Sequence, residues 1–120
     1  MAISSYRDLQ VYQKAYSLSL IVHEMTLKFP KFEQQELGRQ MRKASKSICG
    51  NLAEGYGKSK ASRAEFKRYV QVSLGSAEEM QAWLSYCSDL GYISDKKSNE
   101  LIESYQEVSR MLQGLYNSWK

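Results

Sequence analysis

Four sets of residues in this chain have types and spacings that could do chemistry. The first is Gly55-Tyr56-Gly57-Lys58-Ser59, whose Gly-Lys-Ser ending matches the close of a phosphate-binding loop. Such a loop needs another glycine five residues before the Gly of Gly-Lys-Ser. Here that position is Leu52, and a helical pattern rather than a strand leads in, so nucleotide binding of that kind is excluded. Lys58 and Lys60 beside glycines still suit loose phosphate contact. The second set is His23 with Cys49 and Cys87. A di-metal bundle site needs two Glu-x-x-His motifs, which one histidine cannot supply. The cysteines form no Cys-x-x-Cys pair, fall inside helical patterns and read as small core residues in a reduced compartment. His23 reads as a boundary residue rather than the base of a Cys–His pair. The third set is Glu54 and Glu79, acids near apolar strips on different helices. Paired carboxylates can do acid–base work, but single hydrogen bonds or ion pairs explain them more simply.

The fourth set is basic. Between Gly38 and Arg68 nine Lys or Arg stand against two acids, Glu54 and Glu65, an excess of +7 in a chain whose net charge is +4. Counting about 100° per residue from Leu37, Arg39, Arg42, Lys43 and Lys46 fall at roughly 140–240°, opposite an apolar seam centred near ~20°. A solvated helix face normally mixes signs, and this one is purely basic over two turns. Lys58, Lys60, Arg63, Lys67 and Arg68 extend the charge toward the next helix. Such a patch suits phosphate backbones, which reward Lys and Arg without being read for sequence. The plainer reading is a surface that keeps the protein soluble.

The elements that position these residues are helices. One proline in 120 residues leaves too few breakers for an all-β chain. The first helix is expected over 8–28, with seam Val11, Ala15, Leu18, Val22, Met25, ending at Phe29-Pro30 because proline disfavours α geometry in the residue before it. The second is expected over 33–54, with seam Leu37, Met41, Ala44, Ile48, Leu52, Gly55 as its C-cap and a polar loop over 55–61. The third opens on a capping box, Ser62 with Glu65, and carries Phe66, Val70, Ser73, Ala77, Met80, Leu84 and Cys87 before Asp89-Leu90-Gly91. The fourth is capped by Ser94 and runs through Leu101, Tyr105, Val108, Leu112, Leu115 and Trp119. Four seams with 4-3 spacing and short connections predict one all-α domain over 1–120, an antiparallel up-and-down four-helix bundle. A long coiled-coil hairpin is the competing fold, and the three breaks disfavour it.

Apolar surface is left over. Tyr12 and Tyr16 on the first helix, with Leu20, and Tyr69, Val72, Trp83 and Tyr86 on the third lie beside the seams. A second stripe rich in Tyr and Trp predicts an oligomer interface. The N-terminus lacks a basic and then apolar leader, and no apolar run approaches the roughly 18 residues of a membrane span, so a cytoplasmic protein without a membrane partner is expected.

Ser47-Ile48-Cys49-Gly50-Asn51-Leu52-Ala53-Glu54-Gly55-Tyr56-Gly57, together with Glu65-Phe66, Gly75-Ser76, Glu79 and Leu90-Gly91-Tyr92-Ile93-Ser94, resembles the 23S ribosomal RNA intervening-sequence proteins, also called S23 ribosomal proteins. The densest part is the S-I-x-x-N-x-A-E-G pattern at Ser47 to Gly55. The resemblance implies an antiparallel four-helix bundle, a ring-shaped homopentamer, kinship with the nucleic-acid-binding accessory proteins of diversity-generating retroelements, and no established enzymatic activity. Independently of it, Asn51 and Glu54 at the seam edges need specific partners, since unpaired polar groups are costly. Gly75, which costs about 1 kcal/mol in mid-helix relative to Ala, reads as a place where another helix comes close. Two functions follow as expectations: an oligomeric RNA- or DNA-binding accessory protein, or an assembly module whose charge is incidental. An enzyme is a distant third, and no catalytic residue, metal or cofactor is assigned.

Overall fold

The computed structural model of the protein describes residues 3–119. A single 3-10 turn, Tyr6–Asp8, precedes α1 (Gln10–Thr26); a one-turn helix α2 (Lys31–Gln34) precedes α3 (Leu37–Lys58); α4 (Arg63–Asp89) and α5 (Asp95–Ser118) complete the chain. The four long helices form a bundle 45 × 24 × 21 Å across. Cross-helix contacts run in opposite senses: Tyr12 meets Cys49 and Thr26 meets Arg42 between α1 and α3, while Glu54 meets Tyr69 and Met41 meets Cys87 between α3 and α4. Each long helix is therefore antiparallel to its neighbour, the up-and-down arrangement expected of short connections.

The residues buried in the core are largely those with 4-3 spacing, because that period keeps one stripe of each helix facing its partners. Ala15, Val22, Met41, Ile48, Leu52, Phe66, Ala77, Met80, Leu84, Tyr105, Val108 and Leu112 are fully enclosed. Four serines are buried, Ser19, Ser45, Ser73 and Ser98, and two of them satisfy their hydroxyls on a neighbouring helix. Ser73 donates to the Ile48 carbonyl at 3.0 Å and Ser98 to the Leu84 carbonyl at 2.9 Å.

Several expected boundaries move. The start of the first helix is split: Ser5 and Asp8 form a capping box around the 3-10 turn, Leu9 is extended, and α1 begins at Gln10. The expected start of the second helix becomes α2, separated from α3 by Gln35 and Glu36. The expected Gly55 cap and the loop over 55–61 are wrong. Helix α3 continues to Lys58, and Gly55 is buried inside it. A Cβ at Gly55 would lie 2.6 Å from the Cβ of Tyr69, so this glycine serves close packing of α3 on α4 rather than a turn. The turn is left to residues 59–62. At the start of α4 only half of the capping box forms. Ser62 accepts from the Glu65 N–H at 3.1 Å, while the Glu65 carboxylate turns to Arg68 at 2.9 Å. Among the described residues none of another helix lies within 4 Å of a Cβ built at Gly75, so the close helix approach expected there is not made by the described helices of this chain.

Candidate nucleic-acid interface

The outer ridge of α3 is built by i, i+3 and i+4 spacing from Arg39, Lys43, Lys46 and Gly50, with Gly57 two turns further on, all exposed. Among the described residues Arg39 and Lys43 have no ion-pair or hydrogen-bond partner. Lys46 directs its Nζ to His23 Nδ1 on α1, 3.0 Å away, so the boundary histidine abuts the basic ridge. Among the described residues a Cβ placed at Gly50 or Gly57 would meet nothing within 4 Å, which leaves bare backbone along the middle and end of the ridge.

Arg42 departs from the expected face. Its guanidinium donates to Thr26 Oγ1 at 3.0 Å and to the Gln34 carbonyl at 2.8 Å, and Gln34 in turn donates to the carbonyls of Leu27 and Phe29. Gly38 makes room for it, since a Cβ there would sit 3.0 Å from Nη1. Arg42 is a brace across the α1–α2–α3 corner, not a free cation, because unsatisfied carbonyls at a helix end attract the strongest donor in reach.

The remaining basic residues lie at the other end of the molecule, roughly 30 Å along α3 from Arg39 at about 1.5 Å per residue. Lys60 and Arg63 are exposed at the α3–α4 turn. Lys58 is tied down: its Nζ donates to the Tyr69 hydroxyl at 2.9 Å and pairs with Glu54 at 3.6 Å, and these contacts hold its pKa above the usual lysine value. Arg68 pairs with Glu65, which likewise raises its pKa. Lys67 lies over the Tyr116 ring at 4.4 Å, facing α5 instead of the α3 ridge. The single patch expected from 38–68 is thus two clusters, Arg39, Lys43 and Lys46 at one end, Lys60 and Arg63 at the other.

The motif residues line the α3–α4 groove. Asn51 donates to the carbonyl and hydroxyl of Ser47 at 2.8 and 3.0 Å, and Ser76 to the Ser47 hydroxyl at 3.1 Å. Glu54 accepts from the Tyr69 hydroxyl at 2.9 Å, and Glu79 from the Trp83 indole at 3.0 Å. Asn51 and Glu54 therefore find partners inside their own chain, and the two glutamates are held apart by separate partners. Burial pushes the Cys49 thiol up to about 11 and the Cys87 thiol up to about 12, so neither is a ready nucleophile. Among the described residues no three His, Cys, Asp or Glu side chains gather as metal ligands would, and no helix is long and apolar enough to cross a membrane.

The expected interface residues separate into two groups. Val72 and Tyr86 are exposed on α4, with Trp83 and Tyr69 half-buried beside them. Tyr12 and Tyr16 sit on α1, stacked on each other at 6.0 Å between ring centroids and 23° between planes. Sequence reasoning overlooked Tyr6 and Arg7. Tyr6 packs edge-on against Tyr12 at 4.9 Å, and the Arg7 guanidinium rides over the Tyr6 ring at 5.1 Å. The Tyr6-to-Tyr12 interval of six residues matches no helical repeat, and only the break at Leu9 brings them together.

The architecture defines a small antiparallel four-helix bundle with a basic outer ridge on α3. Residues 7–114 match the family described as 23S rRNA-intervening sequence protein, and the chain belongs to that family. A crystal structure at 1.70 Å of a protein with unknown function from the S23 ribosomal protein family of Bacteroides thetaiotaomicron VPI-5482 has the same fold. It is 22% identical, with a TM-score of 0.79 over 90% of this chain and 96% of that one. Among curated proteins no relative matches the chain.

Proposed function

We propose that this protein is a non-enzymatic, oligomeric nucleic-acid-binding accessory protein whose ligand is RNA, held by its phosphate backbone. The observation that carries the reading is the outward ridge of α3, where Arg39, Lys43 and Lys46 project with no acid between them. A helix face that serves only solubility gains by mixing signs, since i,i+4 pairs stabilise it; this one forgoes such pairs. Bare backbone at Gly50 and Gly57 lets a phosphate chain lie close to the helix. The family name, which links these proteins to intervening sequences of 23S rRNA, supports RNA over DNA. In the homopentamer that the family resemblance implies, five copies of the ridge would act together, and avidity would make weak single contacts measurable.

The test is a titration of single-stranded RNA and duplex DNA at low and physiological salt. Affinity should fall steeply with salt, because each neutralised phosphate releases counterion, with slight sequence preference. The double variant Arg39→Glu/Lys43→Glu should stay folded and lose most of the binding. Absence of binding at low salt, or equal binding by the variant, would refute the reading. A second reading, an assembly module with incidental charge, would then lead, supported by exposed Val72 and Tyr86 on α4.

A further inference from the structure

The N-terminal tyrosine ladder supplies a feature that a phosphate-binding ridge alone does not need. Tyr6, Tyr12 and Tyr16 pack in series, and Tyr16, the last of them, is 49% exposed. Tyr12 lies alongside its ring, and about half of Tyr16 stays open to solvent as an aromatic surface. An open concavity of about 490 Å³ lies here, lined by Arg7, Tyr12, Gln13, Tyr16 and Ser17. Its polar groups are partly committed. The Gln13 amide nitrogen donates to the Arg7 carbonyl at 2.9 Å, which fixes the side chain and leaves its oxygen as an acceptor. Arg7 is held over Tyr6 with its donors exposed.

This concavity is lined by α1 and the turn before it, and α1 packs against α3, which carries the basic ridge. The Cys49 thiol lies 3.9 Å from the Tyr12 carbonyl, which sets Gly50, one of the two bare positions of α3, level with the ladder. Lys46 stands one turn before Gly50 and reaches His23, two turns beyond Tyr16 on α1. Aromatic faces on α1 thus stand beside the Lys46 edge of the ridge, while Lys43 leans the other way, toward Ser76 and Glu79 of α4. Resting on the proposed nucleic-acid role, we infer that the Tyr6–Tyr12–Tyr16 ladder stacks an unpaired base while the strand's phosphates follow Gly50 and Lys46, so that the protein selects single-stranded over duplex nucleic acid.

The chemistry favours this occupant. A planar face edged by a guanidinium, an amide oxygen and hydroxyls matches a nucleobase, which offers a π-face and hydrogen-bonding edges together. Bases in a duplex are stacked and paired, and their faces are out of reach, whereas splayed bases of a single strand stack on tyrosine whatever their identity.

The experiment compares wild type, Tyr16→Ala and Tyr16→Trp on a labelled single-stranded RNA 15-mer and a duplex DNA of equal length at low salt, with circular dichroism and light scattering on each protein. Tyr16→Ala should bind the single strand about fivefold or more weakly, the range found when one stacking aromatic is removed, and bind duplex within about twofold of wild type. Tyr16→Trp should retain single-strand affinity and show quenching of indole emission beyond that of the wild type. If Tyr16→Ala binds RNA as the wild type does, loses both ligands equally, or loses mass in light scattering, the inference is overturned; in the last case the ladder is an assembly contact. If wild type binds neither ligand, the proposed function itself fails.

Discussion

Arg42 shows that a side chain's role depends on what lies within its reach and not only on its angle around the helix. By its place on α3 it belongs to the basic face, yet it bridges Thr26 and the Gln34 carbonyl at the corner where α1 ends and α2 begins. Hydrogen bonds from a charged donor contribute more than neutral ones, about 1.5–3 kcal/mol. Arg42→Ala should therefore lower stability by about that much in urea unfolding, while reducing nucleic-acid affinity far less than Arg39→Glu/Lys43→Glu does. A variant with unchanged stability and sharply weaker binding would reverse the assignment.

At the scale of an element, α3 is longer than its glycines suggest. Gly55 and Gly57 both lie inside it, two residues apart, in opposite environments. Gly55 faces Tyr69 and Phe66 with no room for a methyl group, whereas Gly57 faces open space. In an unconstrained helix Gly→Ala gains up to about 1 kcal/mol by reducing backbone freedom in the unfolded chain. Gly57→Ala should realise part of that gain. Gly55→Ala should instead cost about 1–3 kcal/mol, because the new methyl must displace Tyr69 in a packed contact. Thermal unfolding of the two variants checks this pair, and a similar shift in both would contradict the close α3–α4 packing.

For the whole molecule, the α4 surface bears on assembly. Val72 and Tyr86 expose 45% and 55% of their surface, and the Trp83 ring lies tilted at 46° beside Tyr86, 5.9 Å between centroids. Aromatic clusters of this kind are enriched in interfaces. Light scattering should give a mass near five times that of the 13.8 kDa chain. Trp83→Glu, which puts a charge into the middle of the stripe, should lower it. A clean monomer at micromolar concentration would remove the ring and the avidity argued from it.

Residue types and spacing alone specify the secondary structure class, the four long helices and nearly every core residue. This is because a 4-3 apolar period has one physical solution, a helix with a buried stripe, and four such stripes must face one another to leave water. They also mark the basic run of 38–68, since charge is a property of residue type. What they do not specify is anything decided by a contact between distant segments. Gly55 reads as a cap until Tyr69, fourteen residues on, is laid against it. Arg42 reads as solvated until the end of α1 supplies an acceptor, and the nine basic residues read as one patch until a straight helix separates them into two. The tyrosine ladder depends on an extended Leu9 that no period announces. Local pattern fixes which face of each helix is buried; only tertiary packing brings particular donors, acceptors and rings within the few ångströms over which they act.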